Sequence, residues 1–303
     1  MRGDTVVRDA GDVVEVSEPL TDTAIVTVVT SETIDPATCR IIATADGRPF
    51  AVEAPPPPPP PPPPEPTPEP APPPALFRDN FATGNLSHTE NGVSWLVDGG
   101  QMPVEPFQTG NALAFHFRTD QSGDSWGEQR FLLGAQYPEL WFRRRIFVPT
   151  NYFHRNDVGT DNNKFFMLWS NNYSGDLHMG FNTVCSAIAG ESDLVVVWKR
   201  NGTPQSSDGL PQAARFISAA DYGAEMNVVV RCKVDSGAGD GALEVWKNNT
   251  KVLSIVNWAC FSNVGNFFNN GYLWGYWNSG VNEEIIIREN LFEIATSNIF
   301  GVV

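Results

Sequence analysis

Pro55 through Pro64 is an unbroken proline run, and prolines recur through Glu65-Pro66-Thr67-Pro68-Glu69-Pro70 as far as Pro74. Each proline fixes φ and removes a backbone donor, so neither helix nor sheet can pass through this stretch. Polyproline II remains, at ~3.1 Å per residue, which makes residues 55–74 a semi-rigid rod of roughly 60 Å. The rod divides the chain, with its linker at 55–75, into an N-terminal module of residues 1–54 and a larger region of residues 76–303. A proline-rich ligand for SH3-like domains is the other use of such a stretch. The spacer reading is preferred because the flanking modules differ so much in composition.

Residues 1–54 contain one aromatic, Phe50, whereas all 9 tryptophans lie beyond residue 90. The short module alternates β-branched runs such as Val13–Val16 and Ala24–Val29 with Asp, Gly and Pro punctuation, a strand pattern. Asp46-Gly47 is a hairpin signal. So small a module buries little apolar surface and is marginal alone, which predicts an anchor that oligomerises or docks on a partner. In residues 76–303, short strand candidates alternate with Asn91-Gly92, Asp98-Gly99, Asn201-Gly202, Asp208-Gly209, Asp240-Gly241 and Asn270-Gly271. Only Pro211–Met226 offers a short helix. Many strands, Gly turns and almost no helix predict an all-β sandwich or jelly roll.

The chain carries 35 acidic against 20 basic residues, a formal charge of −15. That balance excludes nucleic acid and anionic membrane as natural partners, since both need clustered Lys and Arg. The start lacks the apolar core of a signal peptide, and no run reaches the ~18 apolar residues of a membrane span. The expected location is therefore the cytoplasm or a particle released by lysis. Cys39, Cys185, Cys232 and Cys260 are spread singly, which supports neither zinc nor a disulfide framework.

Aromatic and charged residues interleave in three stretches. Trp126, Glu128 and Arg130 share one face of a strand, because side chains two apart point the same way. In the next stretch Trp141, Arg143, Arg145 and Phe147 face one way, and the mostly apolar set Leu140, Phe142, Arg144, Ile146 and Val148 faces the core. In the third, Tyr272, Trp274, Tyr276 and Asn278 share a face opposite Leu273 and Trp277. Aromatic rings pack on sugar C–H faces, guanidinium forks pair with uronate carboxylates, and amides bind hydroxyls. A glycan-binding face of Trp141, Arg143, Arg145, Trp274, Tyr276 and Asn278 is therefore expected. Core aromatics and strand-face ion pairs are the competing explanation of the same pattern.

Phe77-Arg78-Asp79-Asn80-Phe81 through Leu86 resembles the opening strand of concanavalin A-like jelly rolls. Tyr137–Phe142 through Val148-Pro149, with Asn162–Phe166, resembles the polysaccharide-lyase-like branch, which also occurs on virion proteins of tailed phages. The resemblance covers most of 76–303 and implies that the opening strand lies near the closing one, at Glu284–Ile294. In alginate-lyase-like members a Tyr-Phe-Lys-Ala-Gly-x-Tyr-Asn-Gln strand supplies the acid or base. Aligned on its glycine, this chain has Trp277 for that tyrosine and Leu273 for the lysine, and only Asn278 matches. If the chain were a lyase, Arg143 or Arg145 would neutralise the uronate, with Tyr276, His154 or His178 as base. The departures imply binding in preference to cleavage.

The combined expectation is a virion-attached appendage, a phage head fibre, capsid decoration protein or tail fibre. It would be anchored and oligomerised through residues 1–54 and would display a carbohydrate-binding jelly roll toward host surface polysaccharide. A lyase-type depolymerase and a purely structural capsid decoration protein are the alternatives. No cofactor is expected, apart from a structural Ca²⁺ that Asp79 and Glu293 could share.

Overall fold

The computed structural model describes residues 40–41, 52–53, 74–97, 102–119, 125–157, 161–171 and 176–303. The chain divides into two compact units, Met1–Glu69 and Pro70–Val303. In the first, Arg40–Ile41 pairs antiparallel with Val52–Glu53. The remaining expectations for residues 1–54, and those for the linker before Pro74, lie outside the described residues, as do Cys39 and the turn at Asp98-Gly99.

The second unit is an all-β sandwich of two antiparallel sheets. The first sheet has 9 strands. Across it run Thr203–Pro204, Ser192–Arg200, His178–Cys185, Asn163–Trp169, Phe268–Trp277, Ser125–Tyr137, Val93–Leu96 and Thr89–Glu90, with Ala213–Ile217 also paired to Ser192–Arg200. The second sheet has 8 strands. Its order is Thr250–Trp258, Gly241–Lys247, Ala224–Lys233, Glu139–Val148, Ile285–Ala295, Gly110–Phe117 and Val104–Phe107, with Phe77–Asp79 also paired to Ile285–Ala295. The opening strand thus lies against the closing one, in the register Phe77↔Ile294, Arg78↔Glu293 and Asp79↔Phe292.

Alternation builds the core. Phe131, Phe166, Leu168, Met179, Phe181, Leu194, Val196 and Leu273 of the first sheet meet Phe115, Leu140, Phe142, Val228, Val230, Leu243, Ile287 and Phe292 of the second. At ~25 cal/mol per Å² of apolar surface removed from water, this layer supplies the main stabilisation. Trp277 stacks on Phe117 with ring centres 4.0 Å apart. The described cysteines Cys185, Cys232 and Cys260 form no disulfide, and burial pushes the Cys260 thiol up to about 11.

Two sequence expectations needed correction, and one strand was missed. Within Pro211–Met226 the helix is one 3-10 turn, Ala219–Asp221, preceded by the strand Ala213–Ile217. Asn270-Gly271 is not a turn but the middle of Phe268–Trp277. A Cβ on Gly271 would lie 2.3 Å from the Phe131 ring, so this glycine serves close packing. His178–Cys185 was not anticipated as a strand. Its Gly180 weakens the pattern, yet a Cβ there would meet the Phe166 carbonyl oxygen at 2.1 Å.

Candidate functional site

The six residues expected to form one glycan face fall on two sheets. Trp141, Arg143 and Arg145 project from the outside of the second sheet, whereas Trp274, Tyr276 and Asn278 belong to the first sheet or the turn after it. Trp141 is 8% exposed and stacks on Trp246, under a cover of Ile299, Phe300 and Val302. Trp246 Nε1 donates to the Val303 carbonyl at 2.9 Å, fixing this C-terminal strap. Arg143 pairs with the Glu293 carboxylate, and its guanidinium lies 5.1 Å from the Phe300 ring centre. Of the trio only Arg145 is open to solvent. Trp274 departs further from expectation, being sealed in the core at 0% exposure. Its indole Nε1 donates to Glu289 Oε1 at 2.6 Å. Its φ of +54° breaks the alternation that would have turned it outward.

Tyr276, 43% exposed, does face outward from the first sheet. The cross-strand register spreads aromatic and charged side chains over the same face. Trp126 stands opposite Tyr276, and Arg130 stands opposite Tyr272. Tyr272 in turn is opposite Met167, and His178 lies between Trp169 and Lys199. The Lys164 ammonium lies 5.1 Å from the Tyr276 ring centre, and the Arg130 guanidinium 5.9 Å from that of Trp169. Arg130 Nε also donates to Glu128 Oε1 at 2.6 Å. Met167, Trp169 and Tyr272 form a small apolar island beneath these charges. At the end of the strand Asn278 Nδ2 donates to Asn162 Oδ1 at 2.8 Å.

The electrostatics of this face run against those of the chain. Among the described residues this face sets Arg130, Lys164 and Lys199 against two strand-borne carboxylates, Glu128, which is held by Arg130, and Asp193, at the far end of the Lys199 strand. His178 reports the field. Burial first, then repulsion from Lys199 and Lys164, lowers its pKa to about 4, so the ring is neutral at ordinary pH.

The other candidates are structural. His154 is 0% exposed, and burial holds its pKa below the ordinary imidazole range. Its Nδ1 is 2.7 Å from Ser192 Oγ and its Nε2 is 2.6 Å from the Asp161 carbonyl oxygen. Asp79 accepts from the Phe81 amide and from Trp95 Nε1, each at 2.7 Å. Glu293 is held by Arg143 and Arg78. Because Arg78, not Asp79, is directly opposite Glu293, the two carboxylates point to opposite sides of their sheet and cannot share a cation. No cluster of three or more His, Cys, Asp or Glu side chains suited to a metal occurs among the described residues.

Sequence reasoning grouped Trp126, Glu128 and Arg130 but left Lys164, Trp169 and Lys199 out of the site. The signal available was the face-sharing of Lys199 with Val197 and Val195, opposite the core set Leu194, Val196 and Trp198. What the sequence lacked was strand order, which alone places Lys164 beside Tyr276.

These features define an antiparallel two-sheet sandwich whose first sheet carries a cationic, aromatic outer face. No family model and no curated protein matches the chain. Among solved structures, an endo-β-1,4-glucuronan lyase from the fungus Trichoderma reesei is similar, at 14% identity and a TM-score of 0.52 over 74% of this chain and 96% of that one. The alginate lyase Aly36B aligns at 11% identity and a TM-score of 0.45, over 62% of this chain and 82% of that one. The carbohydrate recognition domain of Emp46p aligns at 10% identity and 0.42, over 73% and 98%. At these identities the first comparison shows a shared fold, and the other two carry no argument.

Proposed function

We propose that residues 76–303 bind an anionic polysaccharide along the outer face of the first sheet. The observation that carries this reading is that Arg130, Lys164 and Lys199 are spread over one outer sheet face, with Lys164 against the exposed Tyr276, on a chain whose net charge is −15. Ammonium and guanidinium groups pair with carboxylates of successive sugar residues, and the exposed Tyr276 ring packs on a sugar C–H face. The fold shared with a glucuronan lyase supports a uronate polymer as the first ligand to test. Polyglucuronate should bind weakly and lose affinity in high salt. Lys164→Ala and Arg130→Ala should each weaken it by about fivefold to tenfold, the net worth of one hydrogen bond at a solvent-exposed site. Equal binding to a neutral glucan, or none at millimolar ligand, would end the proposal and favour a purely structural role.

Binding without cleavage is the preferred form. Of the lyase candidates Tyr276 and the buried His178 are on this face, since Arg143 and Arg145 lie on the other sheet and His154 is sealed. Cleavage would require a base to take the C5 proton while the C4–O bond breaks, leaving an unsaturated sugar. Ultraviolet absorbance of that product is the assay. Turnover abolished by Tyr276→Phe would move the protein to the lyases.

The surrounding architecture extends the reading to a virion-borne appendage, a head or tail fibre or decoration protein. In it residues 1–54 attach to the particle and residues 55–75 give reach. Its support is compositional, the proline run and the small β-rich module, and several copies on one particle would turn weak sites into avid ones. A chain lacking residues 1–54 should fold and bind glycan yet fail to join the particle. Normal incorporation would refute the anchor.

A further inference from the structure

Two irregularities lie side by side in the first sheet. The Asn163–Trp169 strand slips register between Lys164 and Phe166 against His178–Cys185, and likewise between Asn163 and Phe166 against Phe268–Trp277. In Phe268–Trp277 itself, Trp274 has φ +54° and Gly275 φ +152°. As a result Phe165 and Phe166 both enter the core, as do Leu273 and Trp274. The residues flanking these doublets, Lys164 and Tyr276, meet on the outside.

Both irregularities are tied to one buried ion pair reaching across from the second sheet. Arg144 Nη1 donates to the Phe165 carbonyl at 3.1 Å, at the first slip. Trp274 Nε1 donates to Glu289 Oε1 at 2.6 Å, at the second. Arg144 Nε donates to Glu289 Oε2 at 3.1 Å, and its Nη2 donates to Oε1. The guanidinium also lies 4.5 Å from the Phe165 ring centre and 5.5 Å from that of Trp274. Arg144, Glu289, Phe165 and Trp274 are all 0% exposed. A charged pair sealed in an apolar sandwich gains little stability over a well-packed apolar pair, because both ions lose their hydration. Its retention is better explained by geometry it imposes than by stability it adds.

We propose that Arg144 and Glu289 are positioning residues for the glycan face. Through the Phe165 carbonyl and the Trp274 indole they hold the two slips that set Lys164 against Tyr276. This deepens the reading given above and rests on it for the ligand, but not for the geometry. Charged groups from both sheets are thereby coupled: an ion pair inside the sandwich fixes the aim of an ammonium outside it.

The test uses the full chain and three measurements: melting temperature, the NMR shift of the Lys164 ε-methylene protons, and polyglucuronate affinity. The Tyr276 ring current should move those protons upfield in the unaltered protein. Arg144→Met with Glu289→Leu removes both ions at similar volume. That variant should melt at the same temperature or higher, lose the upfield shift, and bind about fivefold more weakly, as a site with a loosened supporting shell does. Glu289→Gln keeps an acceptor for Trp274 but leaves Arg144 buried without its counter-ion, so it should melt lower while the folded protein retains shift and affinity. If the double variant does not fold, Trp274→Phe takes its place, deleting the indole N–H bond together with part of the ring volume while leaving the ion pair whole. A folded variant of either kind with an unchanged Lys164 shift overturns the proposal. An upfield shift that responds as expected in a protein that never binds polyglucuronate would instead overturn the ligand assignment and leave the positioning role standing.

Discussion

His178 is 3% exposed, and its neutral ring is enforced by burial and by Lys199 and Lys164. Because its folded pKa is about 4, while an unfolded histidine titrates near ~6.5, the unfolded chain binds the extra proton between those values. The contribution of the neutral ring is therefore complete above pH ~6.5 and declines as pH falls toward 4, by on the order of 3 kcal/mol at most. Urea titrations from pH 7 to pH 4 should show this slope, and His178→Asn should flatten it. A parallel slope in the variant would sink the assignment. Glu191 acts in a lower window, since the Arg215 hydrogen bond, then the Ala219 amide, hold its pKa at about 2. Its contribution is present above the ordinary glutamate range and lost as pH falls toward that value. At this scale the sequence is least readable. Nothing in the local pattern around His178 or His154 tells a sealed ring from an exposed base, because burial depends on strands distant in the chain.

Gly275 is the element-scale counterpart. Its φ of +152° is disfavoured for any side chain, and a Cβ would stand 3.0 Å from Lys164 Cβ and 3.2 Å from Glu128 Oε2. Gly275→Ala should cost about 1–3 kcal/mol of stability and displace Lys164, weakening glycan binding more than a remote substitution of equal cost. Thermal melts and salt-dependent binding, compared with Gly209→Ala at an open turn, measure both effects. Gly209 is a strained position too, but a Cβ there meets nothing within 4 Å. Unchanged affinity in a destabilised Gly275→Ala protein would mean that Lys164 takes no part. The alternation rule succeeded on Glu139–Val148, where Leu140, Phe142, Ile146 and Val148 all enter the core. It failed on Phe268–Trp277 at one place, because the left-handed Trp274 and the adjoining Gly275 turn one side chain inward before the original alternation resumes. Trp274 was therefore placed on the wrong side, while Tyr276 was placed correctly.

For the whole molecule, the alternating runs and Gly turns were enough to read a β-sandwich, and the resemblance to concanavalin A-like jelly rolls implied the pairing of first and last strands. Strand order, which decides that Arg143 and Tyr276 are on different sheets, is not encoded in any local run. Nor is the packing of Ile299, Phe300 and Val302 on Trp141 and Trp246, which turned an expected binding face into a covered one. The pairing of first and last strands has a mechanical consequence. Phe77 lies opposite Ile294, and the Leu76 amide donates to the Ile294 carbonyl at 2.8 Å, so chain entry and strand exit sit at the same end of the pair. Tension applied between Pro74 and Ala295 would open this seam like a zipper, one hydrogen bond after another, starting at Leu76. Tension directed along the strands would instead load the bonds together in shear. A domain tethered through Pro74 would thus resist a pull according to its direction, yielding first at a three-residue strand while the sheets behind it remain closed.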